Sequence, residues 1–325
     1  MIFENLSDLQ LVTHTARSGS LSAAGRLMGI SPAAASAALK RLERQLGVRL
    51  FERSTRALRP TTECQTLLGY ADRALDLLAE AGSLLSTGQG ALVGRVRLAG
   101  PSDLTRSVLL PWLDEFLMLH PGVQLSLSVS DRVQDVVRDE VDLALRLGEL
   151  ADSRLVARRL ATSDRIVCAS PAYLARHGAP QSPQDLLQHN CLTFHLARGV
   201  HDRWRFTAAD GSGGWQEVRV RGNRTADDAA IVHQWAVAGV GILCKSRLDV
   251  WQDVQRGALV PLLTAWKSED YPLNAILPSG RFVPARVRAL VDFLAVKFAA
   301  LPSDQAPHAV QGFVPGGHAA VRPNR

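Results

Sequence analysis

Residues 31 to 44, SPAAASAALKRLER, place small and hydroxyl-bearing side chains ahead of cations at helical spacing. On a helix, Ala33, Ser36, Ala37, Lys40 and Arg44 share one face. Small residues at the front let a helix N-terminus enter a DNA major groove. Hydroxyls there can bond base edges, and the cations behind them reach phosphate. Ser31, Pro32 and Ala34 stand at the leading end, and Ser22 joins the set from the segment before. The opposite face, Ala35, Leu39, Leu42 and Leu46, is apolar and suits a core. The same pattern also suits a surface helical hairpin with a solvated face, so the neighbouring elements decide.

A second stretch with chemistry is Gly100-Pro101-Ser102-Asp103-Leu104-Thr105, which joins an alternating run, Arg95 to Ala99, to a helical one. Backbone N–H groups at that helix start, with the Ser102 and Thr105 hydroxyls, can hold a carboxylate. In open α/β sheets ligands lie at the carboxyl ends of strands, where this loop falls. Plain N-capping by Ser102 is the other reading. There is no G-x-S-x-G, P-loop, G-x-G-x-x-G or H-E-x-x-H, and Gly239-Val240-Gly241 is a lone G-x-G. Cys64, Cys168, Cys191 and Cys244 have no C-x-x-C spacing. A zinc site or disulfide scaffold is therefore disfavoured, and free thiols suit a reducing cytoplasm. Neither metal nor cofactor is expected.

The elements that must position residues 31 to 44 are legible on both sides. Leu6, Leu9, Val12 and Ala16 make an amphipathic helix. Ser20 can cap a second, with Leu21, Ala24, Leu27 and Met28 as its apolar stripe. Gly29 suits a left-handed helix end, and Ser31-Pro32 restarts the chain. Downstream, Val48–Phe51 and Ala57–Pro60 flank the turn-prone Arg53-Ser54-Thr55-Arg56. That suits a basic β-hairpin wing, with Arg53, Thr55 and Arg56 against the DNA. Three helices and a wing make a winged helix–turn–helix.

The unbroken run SGSLSAAGRLMGISPAAASAALKRLERQLGVRLFERSTR, with Leu42-Glu43 and Phe51 to Arg56, resembles the DNA-binding domain of LysR-type transcriptional regulators. That family often has glutamine where Pro32 stands and arginine where Ala37 stands. The body resembles the family's effector domain, which has the fold of periplasmic binding proteins. The stretches that carry this are LPWLDEFLMLHPGVQLSLSVSDRVQDVV, DLALRLGEL, DSRLVARRL, VCASPAYLARHGAP and DLLQHNCL.

Charge and length agree with a head and a body. The 325-residue chain has net charge +6, and residues 1–60 carry +5 of it, nine Arg/Lys against four Asp/Glu. A basic module on a near-neutral body points to a nucleic-acid head. Thr61 to Leu85 reads as one long helix. Its seam through Leu68, Ala71, Leu75, Leu78 and Leu85 predicts dimerisation. Ser86 to Gly90 reads as a hinge. The body alternates strands and helices, as a parallel sheet covered on both faces does. The expected fold class is α/β: a mainly α winged helix–turn–helix (1–60), a linker helix and hinge (61–91), and a bilobal periplasmic-binding-protein-like effector domain (92–301). Lobe I would be 92–162 with 267–300, lobe II 163–266, and 302–325 a disordered tail.

The resemblance favours an effector between the lobes, touching Ser102, Asp103 and Thr105. Arg146 could pair with an anion or form a structural salt bridge. Phe194 could face the cleft or pack in a core. Asp227 would cap the helix Asp227 to Ala238, and Asp228 would meet ligand. Expected partners are double-stranded DNA, a small anionic effector, further copies in a homodimer or homotetramer, and RNA polymerase. The start MIFENLSDLQ lacks a signal-peptide pattern and no apolar run is long enough for a membrane span, so the cytoplasm is expected. An enzyme or solute-binding protein on the same body is the alternative.

Overall fold

The computed structural model describes residues 5–53, 58–87, 92–131, 141–149, 156–196, 199–278 and 283–301. Helix α1 (Leu6–Ser18) starts where Asn5 accepts the Ser7 N–H. Helices α2 (Leu21–Leu27) and α3 (Pro32–Leu46) start where Ser20 and Ser31 accept the N–H groups of Ala23 (3.3 Å) and Ala34 (3.2 Å). Such caps satisfy donors that the first helical turn leaves unpaired. Gly47 ends α3 with φ +70°, a left-handed geometry that costs glycine nothing. A Cβ added at Gly25 would lie 3.2 Å from that of Ala35, so this glycine lets α2 and α3 pack closely. Two apolar clusters fill the head, one around Leu9, Val12, Leu39 and Leu42, the other around Leu11, Ala24, Ala35 and Ala38. Leu27 is not in the stripe expected of it. It is 70% exposed, because six helical positions from Leu21 turn it away from the core face.

The wing pairs β1 (Phe51–Arg53) with β2 (Leu58–Pro60) in antiparallel register. Glu43 Oε1 accepts the Leu50 N–H at 2.8 Å and so ties α3 to the wing. Helix α4 (Thr62–Thr87) follows, its first turns inside the head core through Cys64, Leu67, Leu68 and Ala71. Ser86 and Thr87, expected in the hinge, are helical instead, and the rest of the expected hinge, 88–90, lies outside the described residues.

In the body, β3 (Gly94–Gly100) leads into α5 (Ser102–Leu104), a π-turn over Thr105–Leu109, and α6 (Leu110–Leu119). Pro111 has no N–H to close an α-turn, and the helix widens immediately before it. Next come β4 (Val123–Val129), β5 (Leu143–Leu147) and β6 (Val156–Ala161). The chain then builds the second lobe from β7 (Arg165–Ala169), α7 (Pro171–His177), β8 (Cys191–Leu196), β9 (Gly199–Val200), β10 (Arg203–Ala208), β11 (Gln216–Arg219), β12 (Thr225–Ala226), α8 (Ala229–Val237), β13 (Ile242–Ser246), α9 (Arg247–Gln255), β14 (Val260–Leu262) and β15 (Trp266–Lys267), of which β11-β10-β15 form a small antiparallel sheet of their own. It returns to the first through β16 (Leu273–Leu277) and α10 (Ala285–Ala299).

The first sheet has the order β4-β3-β5-β16-β6, and the second β12-β8-β13-β7-β14. Neither is wholly parallel. β16 runs antiparallel to β5 and β6, and β7 antiparallel to β13 and β14. The reversals occur at the strands next to the two crossings between sheets, where the chain re-enters without a crossover helix. The π-turn, α6 and α10 cover the first sheet with Leu109, Leu113, Phe116, Leu290 and Leu294. The second sheet is covered on one side by Tyr173, Trp204 and Phe206, and on the other by Val232, Ala236 and Val250. The expected helix at 133–138 and the tail 302–325 lie outside the described residues.

Candidate functional site

The first candidate surface is the outer face of α3. Pro32, Ala33, Ala34, Ala37 and Lys40 are exposed with Ser22 and Ser31, and Ser36 is half-buried. Ala35, Ala38, Leu39 and Leu42 are buried beneath them. Arg41, exposed beside Lys40, is held by Asp8 of α1, with contacts of 2.7 and 3.1 Å. Lys40 and Arg44 form no ion pair among the described residues. Thr55, Arg56 and the Arg53 side chain lie outside the described residues.

The linker face differs from the expected seam. Leu68 and Ala71 are spent on the head's own core, Leu75 is half-buried, and the Leu85 side chain lies outside the described residues. Instead Tyr70, Ala74, Leu77, Leu78 and Ala81 are exposed at spacings of four, three, one and three, a single helical face. Leu78 is 51% exposed.

A cleft of about 820 Å³ lies between the two sheets of the body. Arg146 and Phe194 line it, as do Arg165, Trp215, Lys245, Asp249 and Tyr271, which no sequence motif singles out. Phe194 lines the cleft and is also buried in the second sheet's core. Ser102, Asp103, Thr105 and Asp228 do not line this cleft. The carboxylate position at the Ser102 loop is filled by the protein itself. Asp131 accepts the Ser102 N–H (2.8 Å) and hydroxyl (2.5 Å) and, from the other lobe, the Ala229 N–H at the start of α8 (2.7 Å). Thr105 Oγ1 sits behind Gly100, where an added Cβ would meet it at 2.6 Å. Asp228, not Asp227, caps α8 by accepting the Ala230 N–H at 2.9 Å. It also pairs across the lobes with Arg106 at 2.9 Å. Burial pushes its carboxyl up, but the Arg106 hydrogen bond and its other donors hold it below the usual range.

Asp103 belongs to a buried charge cluster beneath the cleft. Its carboxylate lies 3.0 Å from His233 Nδ1 of α8 and 3.0 Å from Lys245 Nζ of β13. Lys245 also pairs with Asp249 of α9 at 2.9 Å. His233 Nε2 is 3.2 Å from Asp253 Oδ2, an ion-pair distance without a hydrogen-bonding angle. Burial raises the Asp103 carboxyl, but Lys245 and His233 outweigh it and bring it below the ordinary value. Burial alone would lower His233; its hydrogen bond to Asp103 and the nearby carboxylates raise it instead. Burial pushes Asp249 up to about 6, against the pull of Lys245. These groups join α5 of one lobe to α8, α9 and β13 of the other. Their sequence signal is only a scatter of charged residues, and none could be paired before the fold was known.

All four cysteines are free and buried. Burial raises Cys64 to about 11 and Cys191 and Cys244 to about 12, which disfavours thiolate chemistry. Among the described residues, no helix is long and apolar enough to cross a membrane.

A basic helix–turn–helix head joined by one long helix to two lobes around a cleft defines a DNA-binding regulator with a ligand-binding body. Two family models match the chain: the bacterial regulatory helix-turn-helix protein, lysR family, over residues 6–65, and the LysR substrate binding domain over residues 89–299. The chain belongs to the LysR-type transcriptional regulators. It is 34% identical to the transcriptional regulator CrgA of Neisseria meningitidis serogroup B over 89% of this chain and 96% of that protein. It is 32% identical to DmlR of Escherichia coli K12, over 90% and 94%. The solved CrgA structure superposes with a TM-score of 0.57 at 32% identity, covering 91% of this chain and 99% of that one. Full-length AphB, the Vibrio cholerae virulence activator, gives 0.54 at 26%, covering 89% and 98%.

Proposed function

We propose that this regulator binds operator DNA as a homodimer or homotetramer through the exposed face of α3, with the wing on the flanking backbone. Ser22, Ser31, Pro32, Ala33, Ala34, Ser36 and Ala37 would approach bases and sugar-phosphate. Lys40, Arg53, Thr55 and Arg56 would bind phosphate. A small anionic effector would occupy the inter-lobe cleft and change the angle between the two heads. The chain would act in the cytoplasm on the nucleoid and contact RNA polymerase, with no enzymatic step of its own. The observation that carries this reading is the exposed, small-then-basic face of α3 above a fully packed apolar one. Selection from a random duplex pool tests it. The full-length chain should enrich a two-fold symmetric site whose half-sites lie about one helical turn, or a multiple of it, apart. Failure to enrich any sequence would overturn the reading.

A further inference from the structure

The anion position expected at the Ser102 loop is occupied by Asp131, so a ligand carboxylate needs another cation. The cleft supplies one. Arg165, at the start of β7, is only 4% exposed yet lines the cleft, and its Nε has no hydrogen-bond partner among the described residues. Its Cζ lies over the Tyr271 ring, 3.7 Å from the ring centre, a cation–π contact that holds the guanidinium in place. A buried, unsatisfied guanidinium is costly, and a bound carboxylate relieves that cost through two parallel hydrogen bonds.

The opposite chemistry sits close by. Asp249 is 3% exposed and lines the same cleft. Its Oδ2 accepts from Lys245, but its buried Oδ1 has no partner among the described residues. That oxygen needs a donor. The two features flank one ring: Phe194 lies 5.9 Å from Arg165 Cζ and 5.1 Å from Lys245 Nζ. Arg165 also stands directly across from Ser246, the residue after Lys245, in the β7–β13 register. Of the other cleft carboxylates, Asp131 is engaged as above, Glu269 by Arg205 at 3.1 Å and Glu149 by Arg159 at 3.7 Å, while Asp270 is exposed to solvent rather than buried.

We infer that the cleft binds a small organic carboxylate bearing an adjacent hydroxyl or ammonium group, with its carboxylate on Arg165 and its donor on Asp249 Oδ1. This rests on the effector reading above and deepens it. A plain carboxylate would leave Asp249 Oδ1 dry and unsatisfied. An amine or polyol would leave Arg165 so. Trp215, at the rim of the same cleft, would lie against the ligand's apolar part.

The test is thermal melting of the full-length chain, followed by calorimetry, against matched probes: lactate, malate, mandelate and neutral amino acids; propionate, succinate and phenylacetate; ethanolamine; and glycerol. Compounds with both groups should raise the melting temperature, at least one of them binding ten times or more tighter than its plain-carboxylate counterpart. In Arg165→Lys, which keeps the charge but loses the fork, that compound should bind roughly ten- to a hundredfold more weakly. No shift across the panel overturns the inference, as do equal binding of plain carboxylates or binding confined to ethanolamine or glycerol. Undiminished binding by an Arg165→Lys protein that melts like wild type overturns it too. A hydroxy or amino acid that binds as expected but leaves operator affinity unchanged supports the ligand class and instead defeats the effector reading.

Discussion

At the scale of single residues, the body is held by buried charges whose protonation differs between folded and unfolded chains. His233 and Asp249 both have raised values in the fold, His233 through Asp103 and Asp249 through burial. For each, the folded state holds its proton more tightly than the unfolded chain does. Asp249 adds stability below its ordinary value of 3.8 that is lost as pH rises toward about 6. His233 adds stability that is full below 6.5 and is lost as pH climbs through its raised folded value. Asp103 is lowered and acts oppositely, losing its contribution on acidification. A comparison of wild type with His233→Gln from about pH 5 to about pH 8 reads this directly. The variant should melt about 3–10 °C lower at the acid end. That gap should shrink as pH rises; a constant gap would show that protonated His233 does not hold the lobes together.

At the scale of elements, α4 shows what was legible in the sequence and what was not. Its length and helical periodicity were plain, and so were the caps at Ser20 and Ser31, because both depend on neighbouring residues. The face it presents was not. Leu68 and Ala71 have the right spacing for an intersubunit seam, but α1, α3 and the wing claim them. Which apolar stripe is left over depends on packing between distant segments. The cleft was opaque for the same reason. Asp131 and Ala229 are 98 positions apart, and Asp103 and His233 are 130 apart. The Ser102 loop does open a helix, but the carboxylate at its N–H and hydroxyl is Asp131 of the chain itself, where the sequence suggested a ligand. The exposed stripe Tyr70, Ala74, Leu77, Leu78 and Ala81 is the surface we expect a second copy to cover. Leu77→Asp with Leu78→Asp would bury charge there, which is costly. Sedimentation should show monomers, and DNA affinity should fall at least tenfold. A double variant that remains a dimer at the same concentration would place the interface elsewhere.

At the scale of the whole molecule, charge and contacts are divided between a basic head and a near-neutral body, with α4 between them. Asp72 of α4 pairs with Arg17 of α1 at 3.0 Å and with Arg97 of β3 at 2.7 Å. Arg97 also reaches Asp142, just before β5. This chain of ion pairs ties the head to the sheet whose carboxyl ends line the cleft. The division also means that DNA affinity should answer to salt through the head. The most direct measurement is the anisotropy of a labelled operator duplex titrated with full-length wild type and Lys40→Ala across a series of salt concentrations. Removing one phosphate contact should weaken binding to operator and to unrelated duplex alike, and should reduce the log–log salt slope by about 1. A Lys40→Ala protein with the affinity and salt slope of wild type would contradict the placement of α3 on DNA.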